Sequence, residues 1–161
     1  MQRVSARVIV LDGDDRVLLF QIDDPLDANP PAWITPGGGV EEGEPLDKAA
    51  CRELLEETGQ VVRPADLGLP VAVSRGAWEF RGQPLHSEDW FFVWRTLSFE
   101  PVDTGWTDLE HQVHRGWRWW TAAELDATAA VVFPAGLGDL VRTLEGGAHQ
   151  DELTVLPWTT F

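Results

Sequence analysis

Tyrosine is absent from these 161 residues, and cysteine and lysine occur once each, as Cys51 and Lys48. A single thiol excludes an intramolecular disulfide and makes a reducing compartment, the cytoplasm, the natural setting. Cys51 falls among apolar residues and reads as a packed thiol rather than a nucleophile. Long hydrophobic runs are missing too. Val8 to Leu11 and Val17 to Phe20 are far shorter than a bilayer span and no leader pattern is visible, so the expectation is a soluble protein with no membrane partner. Basic charge is scarce: twelve Lys and Arg face twenty-seven Asp and Glu, a formal net charge of -15. That balance repels a nucleic-acid polymer or an anionic membrane, since both are recruited by basic patches. It suits a small anionic ligand bridged through metal and met by a few local arginines such as Arg52, Arg75 or Arg81. The length predicts a single domain over 1–161 with enough core to need no staple.

What is abundant is acid at regular spacing. Glu44, Glu53, Glu56 and Glu57 lie between Gly38 and Gly59, and the stretch from Glu44 or Pro45 to Thr58 reads as a helix. Proline fits its first turn and Gly59 its C-terminal cap. Leu46, Ala50, Cys51, Leu54 and Leu55 form the predicted buried stripe, opposite Lys48, Arg52, Glu53, Glu56 and Glu57. Residues three and four apart share a helix face, so three carboxylates would crowd one small volume and repel. A hard divalent ion relieves that repulsion, and Mg²⁺ in particular binds through a few carboxylates plus substrate phosphates. Just upstream, Pro36 leads into Gly37, Gly38 and Gly39. Without β-carbons these can bring main-chain groups close to a metal or a phosphate. An ordinary surface helix after a plain turn is the competing reading; the fixed spacing of loop, acids and Gly59 argues against it.

The stretch resembles the signature box of the Nudix hydrolases, G-x5-E-x7-R-E-U-x-E-E-x-G-U with U bulky and aliphatic. Gly38, Glu44, Arg52, Glu53, Glu56, Glu57 and Gly59 match by identity, and Leu54 fills the first aliphatic slot. Gln60 departs from the last one, with Val61 and Val62 immediately after it. The resemblance, with its box at 38–60, implies an α/β fold, the Nudix α/β/α sandwich with a mixed central sheet. It also implies a pyrophosphohydrolase that directs water at phosphorus in a nucleoside triphosphate, nucleotide sugar or modified nucleotide. Mg²⁺, with Mn²⁺ as the alternative, would be held by Glu53, Glu56, Glu57 and the carbonyl of Gly38 or Gly37, with Glu44 as an additional or outer-sphere ligand. Arg52 would orient Glu53 or Glu56. Glu53 is the matched general base. Some members carry the base on a variable loop, and here Glu110 is preferred to Glu79, Glu88, Asp89 and Asp108. A Nudix-fold sensor that binds a nucleotide without cleaving it is the alternative function.

Around the box, Arg3 to Leu11 and Val17 to Ile22 form a predicted hairpin across the turn Asp12 to Arg16, and Trp33 to Thr35 a short strand. Asp23 to Ala32 reads as a surface loop. Strands are expected at Leu69 to Ser74, Trp78 to Arg81, Asp89 to Thr96 and Trp117 to Trp120, with a polar loop over Thr104 to Arg115. Thr121 and Glu124 make a capping box for one helix, Pro134 to Leu144 suggests another, and Val155 to Phe161 a terminal strand or tail.

Nine tryptophans offer surfaces for a nucleobase. Trp90, Trp94, Trp119 and Trp120 sit on strands and read as core, whereas Trp33 and Trp78, beside predicted loops, are the stacking candidates. Together with Gly37 to Gly39 they make the predicted substrate-binding set. His86, His111, His114 and His149 lack a zinc-ligand pattern and read as loop residues. Marks of several Nudix subfamilies are missing: there is no downstream tyrosine, no proline within Ser74 to Gly76, and no cysteine placed for isomerase chemistry. Exposed aromatics are compatible with a homodimer without requiring one.

Overall fold

The computed structural model describes every residue except 24–29, 81, 149–150 and 159–161, and omits the side chain of Phe80. Most of the expected loop over Asp23 to Ala32, together with Arg81 and His149, therefore lies outside the described residues.

The chain opens with the expected hairpin, β1 (Gln2–Leu11) and β2 (Val17–Ile22). Asp12 closes the turn by accepting from the amides of Asp14 and Arg16 and from the Arg16 side chain, while Asp15 takes the left-handed conformation at φ 57°. β3 (Ala32–Ile34) and β4 (Gly37–Gly39) follow, then α1 (Leu46–Thr58) and the short α2 (Pro64–Leu67). β5 (Ala72–Phe80) and β6 (Gln83–Arg95) form one long hairpin. The two separate strands expected there are one, and β6 begins earlier than expected. The pairing runs unbroken from Ala72↔Phe91 to Phe80↔Gln83, supplying the polar middle with partners that local propensity does not reveal.

α3 (Asp108–Val113), β7 (His114–Trp120), α4 (Ala122–Ala127), β8 (Val131–Phe133), α5 (Leu137–Leu144) and β9 (Thr154–Leu156) complete the chain. Thr104 to Arg115, a loop by its polarity, contains α3. Thr107 and Glu110 form a capping box that starts this helix, a signal of the same kind as Thr121 and Glu124. The helix expected from Pro134 starts at Leu137, because Gly136 takes φ 81° as its N-cap.

The strands form a mixed sheet in the order β8-β3-β2-β1-β6-β5-β9, with β4 also on β1 and β7 also on β2. β1 with β6, β3 with β8 and β5 with β9 are parallel; the other pairs are antiparallel. Both faces are covered. Ala6, Val8 and Val10 pack with Leu18, Phe20, Phe92 and Trp119 against Ala49, Ala50 and Leu54 of α1. Ile9 and Leu11 point the other way, into a core closed by Leu125 of α4 and Leu137, Leu140, Val141 and Leu144 of α5. Burial on both sides is why β1 reads as a nearly continuous apolar run. The result is the α/β/α arrangement expected from the sequence.

Candidate active site

α1 begins after Pro45 and ends at Gly59, whose φ of 77° lets its amide bond back to Leu55 O at 3.0 Å. Its buried side differs from the expected stripe. Ala49, Ala50 and Leu54 are sealed, but Leu55 is 49% exposed, while Glu53 and Glu57 are buried at 8% and 6%. The 100° step explains the rotation: Ala49, Glu53 and Glu57 are successive i,i+4 positions and line up against β4.

The glycine strand makes room for this. Gly38 pairs with Ala6 of β1, and a β-carbon on Gly38 would lie 2.6 Å from Glu53 Oε1. Any other residue would push the carboxylate away. Gly37 has φ 138°, and its amide donates to Glu57 Oε2 at 2.6 Å.

Arg52 divides the acids. Its Nε and Nη2 each meet Glu44 at 2.9 Å, its Nη1 meets Glu53 Oε1 at 3.0 Å and Glu56 Oε2 at 3.3 Å, and its Nη2 also donates to Gly39 O at 2.9 Å. This engages the whole guanidinium fork. Hydrogen bonds from Arg52 and from the Glu41 amide hold the Glu44 carboxyl down at about 2. Burial raises Glu53, with Arg52 opposing. Burial pushes Glu57 up to about 8, against the pull of the Gly37 amide and the Arg7 charge.

α3 brings the third acid. Trp106, just before it, donates its indole N–H to Glu57 O at 2.8 Å and packs on Phe20 and on His114 at ring distances of 5.9 and 4.5 Å. His114, half-buried there, is held below its ordinary value by that partial burial. With α3 docked in this way, Glu53, Glu57 and Glu110 each present one carboxylate oxygen, all within 4.8 Å of one another. Glu110 also accepts from the Thr107 amide at 2.6 Å.

Glu56 stands outside this trio, its side chain 42% exposed and held by Arg52; Glu44 likewise belongs to Arg52. Trp33 packs edge-on against Trp120 at 5.1 Å, in the core on the sheet face opposite α1. Trp78 lies on β5, two strands beyond β1, and its indole donates to Ser87 Oγ at 2.7 Å. Of the rival acids, Glu88 is bound by Arg75 and Trp90, and Asp89 faces Arg7. Arg7 is the residue that sequence reasoning passed over. Its signal is an arginine placed two before Ile9, in a register where that strand buries aliphatic side chains.

Three hard oxygen donors, crowded and mostly buried beside the glycine strand, fit a divalent cation. A model of the NUDIX domain matches residues 1–139. The chain belongs to the Nudix family. It is thus an enzyme of the Nudix hydrolase class, acting on acid anhydride bonds. The chain is 33% identical over 136 residues to an RNA pyrophosphohydrolase of Sphingopyxis alaskensis, covering 77% of this chain and 80% of that one. A second RNA pyrophosphohydrolase, from Roseobacter denitrificans, is 34% identical over 136 residues, 76% and 79% of the two chains. Among solved structures, a MutT protein from Methanosarcina mazei Go1 superposes with a TM-score of 0.62 at 17% identity, covering 89% of this chain and 93% of its own. At that identity the likeness concerns the Nudix fold alone. No helix among the described residues is long and apolar enough to cross a membrane.

Proposed function

We propose that this Nudix hydrolase cleaves a diphosphate linkage in a nucleoside triphosphate, nucleotide sugar or modified nucleotide, using Mg²⁺ or Mn²⁺ to bring water to phosphorus. The observation that carries this reading is the convergence of Glu53, Glu57 and Glu110 within 4.8 Å, with Glu57 and Glu110 in no ion pair among the described residues. Glu53, Glu57, Glu110 and the carbonyl of Gly37 or Gly38 would hold the ion. Bound there, a divalent ion neutralises charge on the diphosphate oxygens and makes water more acidic. Glu53 keeps Oε2 clear of Arg52 and is positioned to take the proton from water, with Glu110 the second base candidate. Arg52 fixes Glu53 while holding Glu56 and Glu44 at the outer edge, where Glu56 can meet a further ion arriving with the substrate phosphates. Gly37 to Gly39 lie against the diphosphate in this reading, whereas Trp33, packed on Trp120, and Trp78, bonded to Ser87, are engaged elsewhere on the sheet.

A second substrate reading, the 5′ end of an RNA, is favoured by the names of the relatives at 33% and 34% identity. The net charge of -15 would restrict such binding to the terminal nucleotides. The test is a mass-spectrometric product screen with and without Mg²⁺, over nucleoside triphosphates, nucleotide sugars and a 5′-triphosphorylated oligoribonucleotide. Metal-dependent product from the wild type and none from Glu53→Gln supports the reading. Nucleotide binding with no product from any substrate would leave the sensor alternative in its place.

A further inference from the structure

The Gly37 peptide is held from both sides. Its amide donates to Glu57 at 2.6 Å, and its carbonyl accepts a long hydrogen bond of 3.4 Å from Arg7 Nη1. The same nitrogen of Arg7 donates to Thr35 O at 3.0 Å, and Arg7 Nε lies 3.7 Å from Asp89 Oδ1. The arginine is thus anchored at Thr35 and Asp89, and from that anchor it reaches the Gly37 oxygen. Its side chain is only 14% exposed, which costs a guanidinium solvation that an aliphatic residue following the file of Ile9 and Leu11 would not lose. A β-carbon on Gly37 would lie 2.5 Å from Arg7 Cα and 2.8 Å from its Cγ, so only glycine fits beside the arginine there. The arginine stem and the glycine backbone form one unit.

We propose that Arg7 is a positioning residue for metal capture, holding the Gly37 peptide so that its carbonyl oxygen is offered on the side where Glu53, Glu57 and Glu110 converge. This rests on the metal reading above and adds a group that the box does not contain. The bond to Gly37 O is the longer of the two that Nη1 makes, so the carbonyl can exchange it for an ion while Arg7 stays fixed on Thr35. Two properties of Arg7 oppose each other: its charge disfavours a nearby cation, whereas its hydrogen bonds preorganise a ligand. We assign the larger effect to preorganisation, because Asp89 lies 3.7 Å from the guanidinium Nε and Nη1 is directed at two main-chain oxygens.

The test is Mn²⁺ binding by electron paramagnetic resonance on the full chain, for wild type, Arg7→Met and Arg7→Lys, with melting curves taken in the absence of metal. Arg7→Met should weaken Mn²⁺ by about tenfold or more, as loss of an outer-shell partner does. Arg7→Lys, which keeps a donor for Thr35 O, should recover most of it. The Mg²⁺ concentration that half-activates hydrolysis should move in parallel, with a smaller change in rate at saturating metal. If Arg7→Met does not fold, Asp89→Asn carries the test, with an expected loss of a few-fold. Unchanged or tighter Mn²⁺ binding in Arg7→Met, or equal losses in the Met and Lys variants that track their melting temperatures, would overturn the inference alone. A wild type that binds no Mn²⁺ would overturn the metal reading and this inference with it.

Discussion

The acids of the box helix fall into two groups that meet opposite fates. Glu44 and Glu56 lie on the Arg52 side and receive their counter-charge from it. Glu57 is buried on the inner side with an amide for a partner, and Glu53 is shared between the two groups. The outer group is complete as a protein structure: each carboxylate has its cation, and Glu44 is held ionised. The inner group differs: burial pushes the Glu57 carboxyl up to about 8, and the converging Glu53 and Glu110 push it the same way, a conflict that a cation would relieve. In the proposed reading, an acid paired directly with Arg52 is held in place by the chain itself, whereas Glu57, with no direct ion pair among the described residues, is left open to an ion from outside.

The sharpest way to break that division is Glu57→Gln or Glu53→Gln. Each should lower metal-dependent hydrolysis by about 10²- to 10³-fold or more while the chain remains folded, as read by product release and circular dichroism. A Glu57→Gln enzyme with near wild-type turnover would show that the inner group is not the site. Glu110→Gln separates charge from capping, because glutamine can still accept from the Thr107 amide. It should cost about tenfold or more in metal affinity with little change in melting temperature, whereas Glu110→Ala should lose about 1 kcal/mol of stability as well. Arg52→Met tests the outer group from the other side, removing the partner of three carboxylates at once. Urea unfolding should show a loss of about 1–3 kcal/mol, more than Glu44→Gln produces.

A further contrast between the groups is their response to pH. The folded Glu57 carboxyl, near 8, lies above its ordinary 4.5, so the native chain binds the extra proton. Its contribution to stability is fully present below about 4.5 and is lost as pH rises through about 8. Metal-free wild type should therefore lose melting temperature over that window relative to Glu57→Gln, and Mg²⁺ should restore it only in the wild type. The smallest effect is expected at Leu55→Lys on the exposed side of α1, within about 0.5 kcal/mol, against about 2–5 kcal/mol for Leu54→Ala one residue earlier.

That last pair shows what the sequence could and could not reveal. The β1–β2 hairpin, the span of α1 and its Gly59 cap were legible because each is written locally, in alternation, spacing and a left-handed glycine. Leu54 and Leu55 look alike to hydropathy, and only the docking of α1 on β4 decides that Leu55 is turned out while Glu53 and Glu57 are turned in. α3 was hidden by its polarity, although Thr107 and Glu110 carried its start signal. The joining of two expected strands into β5 depends on pairing with β6, and β8 depends on parallel pairing with β3, contacts that no local window contains. At the site the spacing of the box residues is readable in the sequence, whereas Glu110 is one of several acids until α3 docks. Arg7 needed the three-dimensional position of Gly37 before its hydrogen bonds could be seen.

The most direct measurement is calorimetric titration of the metal-free protein with Mn²⁺ near pH 7 in two buffers of different ionisation enthalpy, which reports protons released on binding. Because Glu57 holds its proton until the ion displaces it, about one proton should leave per ion bound in the wild type, and markedly fewer in Glu57→Gln. Binding without proton release, or identical release from the two proteins, would contradict the claim that the buried glutamate is kept for metal.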